Sequence, residues 1–203
     1  GPWLEATRRE VTVLFVDIRG YTHYAEHTPP GVVIEMLNQF FGLATEAIIR
    51  NGGFINKFLG DAIMALFGAL AVQPDQAHRA ALAALEIQSG VEKFNQARLA
   101  EGKDPIVIGI GINRGDVVAG SVGSAARMEY TVVGDAVNVA SRLTSAAKAG
   151  EILLTRMALE PAAERLEVKS LPPLHVKGKT EPLEVFCLVG RKETGTQEGS
   201  HGA

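Results

Sequence analysis

The chain has 203 residues, enough for one sizeable domain with its own hydrophobic core. Hydrophobic residues make up 46% and charged residues 21%, the net charge is −3, and no Lys/Arg-rich block argues for a nucleic-acid partner. The single cysteine, Cys187, excludes a disulfide framework and reads as a buried, inert thiol within LEVFCLVG. No apolar run approaches the roughly 18 residues of a membrane span and no signal peptide is visible, so a cytoplasmic setting is expected. The opening Gly-Pro looks like the scar of a cleaved tag and LEATRRE starts abruptly, so 1–7 read as scar and linker. The chain is therefore expected to be a piece of a longer protein, whose regulatory domain or membrane tether would lie elsewhere.

In chain order, REVTVLFVDIRGYT opens with an apolar, β-branched run that suits a strand buried on both faces and ends at Asp17. Val33, Met36, Leu37, Phe40, Phe41, Ala44, Ala47 and Ile48 then follow the helical period, and Asn51-Gly52 closes that helix. FINKFLGDAIMALFG is a hairpin cornered at Gly60-Asp61, and a second helix begins near Pro74-Asp75. IVIGIGINRGDVVAGSVG reads as strand, turn, strand. MEYTVVGDAVNVASRLTSAAKAG is a strand to Gly134 followed by an amphipathic helix with Asp135 as its N-cap, closed at Gly150. A short strand, a short helix and two more strands complete a domain over 8–190, and the polar tail 191–203 reads as disordered. The order predicts an α+β fold: a ferredoxin-like βαββαβ core, shared with polymerase palms, with its helices on one sheet face, and a C-terminal α/β extension.

Within that plan Asp17 ends the first strand and Asp61 sits at the hairpin corner, on neighbouring strands. Two close carboxylates repel in a poor dielectric and call for a cation, and an Asp pair with room for water and phosphate oxygens suits Mg²⁺ or Mn²⁺. After Asp17, Ile18, Arg19, Gly20, Tyr21 and Thr22 are placed to turn backbone N–H groups toward a phosphate. Taken alone, Asp17 also reads as a strand-end cap and Gly60-Asp61 as an ordinary turn. Asn138 and Arg142 lie at i and i+4 on one helix face, an amide and a guanidinium in line for a ribose and a phosphate. The remaining alternatives are bland. GIGINRG and GDVVAGSVG lack dinucleotide-loop spacing, His23, His27, His78 and His175 read as surface or loop residues, and Tyr21, Tyr24, Met36, Phe40 and Phe41 as core or dimer contacts.

Three blocks, LFVDIRGYT, NKFLGDAIMALFG and YTVVGDAVNVASRL, resemble in order and spacing the catalytic domain of the class III nucleotidyl cyclases. The resemblance implies that Asp17, Asp61 and the backbone carbonyl of Ile18 hold two Mg²⁺ or Mn²⁺ ions per site. It implies purine selection by Lys57 and Thr131, a ribose contact from Asn138, and charge stabilisation by Arg142. Lys177 matches a triphosphate lysine, and Arg127 lies near a further phosphate-binding arginine. It also implies a homodimer with two shared sites, the aspartates from one chain and Lys57, Thr131, Asn138 and Arg142 from its partner. The implied substrate is ATP. A lysine ammonium only donates, as adenine N1 requires, and a threonine hydroxyl accepts from the N6 amine. Threonine stands where many relatives carry Asp, and relatives with it include bicarbonate-responsive cyclases; a bicarbonate response here stays open. Guanylyl cyclisation and a silent nucleotide-binding module are the competing readings.

Overall fold

The computed structural model describes residues 5–193; residues 1–4 and 194–203, with the tag scar and most of the polar tail, lie outside the described residues. Strand β1 (Thr7–Ile18) is the spine, with Val11, Val13, Leu14 and Val16 fully buried. Burying such side chains stabilises by about 1.5–3 kcal/mol each, which fixes β1 at the sheet centre. A six-residue helix α1 (Tyr21–Glu26) follows at once, and Pro29-Pro30 starts the separate helix α2 (Pro30–Arg50). By length and composition α2 could cross a bilayer, contrary to the sequence reading. In the fold its Met36, Phe40, Ala44, Ala47 and Ile48 stripe packs on the sheet.

β2 (Phe54–Leu59) and β3 (Ala62–Phe67) form the hairpin, with Gly60 at φ +62 in its two-residue turn. That backbone conformation favours glycine. Helix α3 (Gln76–Ala100) leads to β4 (Ile108–Ser124), β5 (Arg127–Val133), α4 (Asp135–Ala146) and β6 (Ile152–Thr155). A short α5 (Arg156–Leu159), a 3-10 turn, β7 (Leu166–Ser170) and β8 (Val185–Arg191) close the described chain. The sheet order is β2-β3-β1-β4-β6-β8-β7, with β5 paired to β4. β1 runs antiparallel to both β3 and β4, so the first four strands in space have the ferredoxin-like arrangement expected.

Three expectations need correction. The run IVIGIGINRGDVVAGSVG is one continuous strand, β4, and not strand-turn-strand. Its Arg114–Gly115–Asp116 resembles a turn but pairs without interruption against Thr12, Val11 and Glu10. Second, both sheet faces are covered. α2 and α3 pack on the face of Leu14, Val16 and Ile63, whereas α4 and Tyr130 of β5 pack on the face of Val11, Val13, Phe15 and Leu66. The expected one-sided helices hold for α2 and α3 only. Third, α4 is capped by Gly134 and ends at Ala146, not at Gly150. Asp135 is its first residue, and its carboxylate pairs with Lys179.

The glycines of β4 explain the close seat of α4. Gly109, Gly111, Asn113 and Gly115 alternate onto one face. A Cβ on Gly111 would sit 2.5 Å from the Ala140 carbonyl oxygen and the Thr144 nitrogen. The Asn113 amide donates to the Ala136 carbonyl at 3.0 Å and accepts from the Thr155 hydroxyl at 2.7 Å, which satisfies the polar group buried there.

Candidate active site

Asp17 belongs to the Val11–Val13–Phe15 face of β1, at the end where the hairpin turn arrives. There the Ile18 N–H donates to Asp61 Oδ2 at 2.9 Å, so the structure brings the two aspartates to one edge. Burial pushes the Asp17 carboxyl above its ordinary range; Arg19 pulls it partly back, and the neighbouring Asp61 charge adds to the rise. Asp17 Oδ1 is buried without a hydrogen-bond partner, and the Arg19 guanidinium stands 3.6 Å away. That guanidinium is engaged elsewhere: it lies across Gly109 and donates to the carbonyls of Thr144 and Ser145 at the end of α4. A paired, under-neutralised acidic edge of this kind fits divalent cations. Among the described residues no three or more His, Cys, Asp and Glu gather in one place, so most ligands of such an ion would be water and phosphate oxygens.

The phosphate-facing segment is narrower than expected. The Ile18 N–H is taken by Asp61 and the Arg19 N–H by the Val107 carbonyl at 2.7 Å. An amide has one proton, so these two are not available to a phosphate. Gly20, Tyr21 and Thr22 remain. Gly20 (φ +69) caps α1, whose first N–H groups have no intrahelical acceptor.

A second group gathers away from this edge. The β4–β5 arm folds over the β1–β3 face, so that the Tyr130 hydroxyl donates to the Ala69 carbonyl at 3.0 Å and its ring meets Phe54 edge-on. The arm also touches β2. Asn56 Nδ2 donates to the Tyr130 carbonyl at 2.9 Å, and the Thr131 hydroxyl lies 3.2 Å from Asn56 Oδ1. Lys57, half-buried and opposite Met64, is the next residue along β2. The structure thus places Lys57 and Thr131 on contacting segments, joined by an asparagine that the sequence reading missed. Its only signal is an amide beside Lys57 in a run that is apolar apart from these two residues.

Asn138 and Arg142 stand exposed on the outer face of α4, while Ala136, Val139, Ala140 and Leu143 hold the inner face. Arg142 makes no ion pair among the described residues. Lys177 is exposed in a turn at Gly178 between β7 and β8, close in sequence to the Lys179 that binds Asp135 on α4. Arg127 is exposed at the start of β5 and pairs with Glu129 at 3.2 Å. His78 is not a loop residue: it lies half-buried in α3, and burial together with Arg165 and Arg191 lowers its pKa. A cleft of about 310 Å³ opens at the far end of β1, between Arg8, Arg9, Gln76 and Arg114, away from the aspartates.

The sequence and the fold match known proteins over nearly the whole chain. The model of the adenylate and guanylate cyclase catalytic domain matches residues 5–190. An adenylate cyclase of Anabaena cylindrica is 40% identical over 89% of this chain, which spans 37% of that relative's length. Among solved structures, the guanylyl cyclase Cya2 superposes with a TM-score of 0.89 at 37% identity, covering 93% of this chain and 96% of its own. The adenylyl cyclase CyaB from P. aeruginosa gives 0.89 at 32% identity, covering 93% and 98%. An adenylyl and a guanylyl relative fit equally well, so the shape does not choose the base. The chain belongs to the adenylate and guanylate cyclase catalytic domain family.

Proposed function

We propose that this domain converts ATP to 3′,5′-cyclic AMP and pyrophosphate at sites shared by two copies of the chain. The observation that carries the base assignment is the Lys57–Asn56–Thr131 segment contact, in which the residue next to an obligate donor touches a hydroxyl. Adenine presents an N1 acceptor and an N6 donor, whereas guanine presents the reverse polarity at both places. Two copies are invoked because Asn138 and Arg142 point outward from α4, while the aspartates sit at the end of β1.

In this reading the 3′-oxygen of the ribose bonds to the α-phosphorus, the bond from that phosphorus to the β-bridging oxygen breaks, and the 3′-proton passes to water. Asn138 orients the ribose. Arg142 meets the negative charge that builds on the phosphoryl oxygens, where preorganised positive charge has its greatest effect. The N–H groups at the start of α1 receive the phosphates, with Lys177 and Arg127 as further cationic contacts. Asp17 and Asp61 would hold Mg²⁺ or Mn²⁺, which when bound supplies charge against the triphosphate and lowers the pKa of the 3′-hydroxyl. The chain spans 37% of its Anabaena relative, and we place any regulatory segment in the remainder of the full-length protein.

The test is product formation from ATP and from GTP, with Mn²⁺ and with Mg²⁺, over a range of protein concentration. Cyclic AMP, with specific activity rising as the chain is concentrated, is the expected result. Preferred formation of cyclic GMP overturns the base assignment. No product from a demonstrably dimeric sample leaves a silent nucleotide-binding domain.

A further inference from the structure

Asn56 is the extra residue of a β-bulge. Ile55 pairs with Ala65 and Lys57 with Met64, so Asn56 has no partner on β3. Bulges re-aim side chains and concentrate near active sites. Here the freed side chain turns to β5, where it makes two contacts whose polarity is fixed by chemistry. The Tyr130 carbonyl only accepts, so the group facing it at 2.9 Å is the amide NH₂. The amide oxygen therefore faces Thr131, 3.2 Å from its hydroxyl. An amide oxygen only accepts, so the Thr131 hydroxyl must donate to it.

A free threonine hydroxyl is ambivalent, because it rotates to give a proton or to offer a lone pair, and it would serve guanine O6 as readily as the adenine amine. With its one proton committed to Asn56, the Thr131 oxygen has only lone pairs left for a ligand. We infer that Asn56 is a specificity-positioning residue: it converts Thr131 into an obligate acceptor and so disfavours a 6-oxopurine. This rests on the adenylyl reading above and supplies its missing discrimination, since hydroxyl chemistry alone does not reject guanine. The bulge gives the same hairpin a second function, as Lys57 and the residue that sets the polarity of Thr131 are adjacent in the chain.

The test is the ratio of kcat/KM for ATP to that for GTP in wild type, Asn56→Ala, Thr131→Val and the double variant. Loss of one oriented hydrogen bond corresponds to a fall in the ratio of about tenfold. Asn56→Ala is expected to lower the ratio by about that factor, mainly through improved use of GTP. In the Thr131→Val background the same change is expected to leave the ratio where Thr131→Val put it, because there is no hydroxyl to orient. A merely structural asparagine would lower both activities in parallel and leave the ratio alone, which would sink the inference. Should Asn56→Ala not fold, Asn56→Leu, close in volume and unable to accept, replaces it with the same expectation. If Thr131→Val itself leaves the ratio unchanged, or the wild type prefers GTP, the adenylyl reading fails first. If Thr131→Val lowers the ratio and Asn56→Ala does not, only the role of Asn56 is lost.

Discussion

The acidic edge at the end of β1 and the outer face of α4 are built to different standards. At the edge, Asp17 is set by a strand paired on both sides, and Asp61 is held by the Ile18 N–H at 2.9 Å. On α4, Asn138 and Arg142 are fixed only by the helix that carries them and face outward. One half is assembled by backbone pairing within the chain, and the other is presented to the outside, with no side-chain hydrogen bond or ion pair among the described residues. In the proposed function such a division places rigidity where charges must be held together and would leave the transition-state contacts to a second copy.

The sharpest way to break this contrast is Arg142→Ala. It is expected to lower kcat by about 10²–10³-fold, the usual effect of removing one oriented charge-stabilising group. The melting temperature should stay within error, because the side chain is exposed. A variant with near-normal turnover refutes the role given to Arg142. Mixing Asp17→Ala chains with Arg142→Ala chains then tests the division itself. Random pairing gives half heterodimers with one intact site each, so about a quarter of wild-type activity should return. If the mixture is as dead as its components while heterodimers are present, the two halves do not meet across copies.

Smaller effects sharpen the picture. Gly111→Ala drives a methyl group into the Ala140 carbonyl and the Thr144 backbone, and should cost about 1–3 kcal/mol in a denaturant melt. An unchanged midpoint would mean that α4 can lift off β4 freely. The smallest effect on stability belongs to Asp17→Asn. The native Asp17 carboxyl has a raised pKa, so between the unfolded and native values the folded chain binds more protons. Stability therefore falls as pH rises through that window. The neutral amide removes this dependence, so at pH 7 and without divalent ions Asp17→Asn should melt slightly higher than wild type while losing activity. A lower melting point would show that the carboxylate stabilises the fold.

Much of this was legible in the sequence because it is local. The β-branched run of β1, the Gly60-Asp61 corner and the i, i+4 spacing of Asn138 and Arg142 depend on near neighbours. What could not be read depends on distant partners. Arg114–Gly115–Asp116 has turn composition, yet Gly115 is small because α4 crosses above it, with Ala136 against the position of a Cβ. The Arg19 and Ile18 N–H groups look available until Val107 and Asp61 are seen to take them. Asn56 gains meaning only when β5 is laid beside it.

β4 carries isoleucines at 108, 110 and 112 on one face and Gly109, Gly111 and Gly115 on the other. Side chains alternate with a period of two, so a slip of one residue would exchange the faces and drive Ile110 and Ile112 into α4. The wrong pairing is therefore rejected by steric conflict during folding, without waiting for the active site to report it. That pattern works as a proof-reading device, and it guards the one strand that joins the core to the arm bearing Thr131.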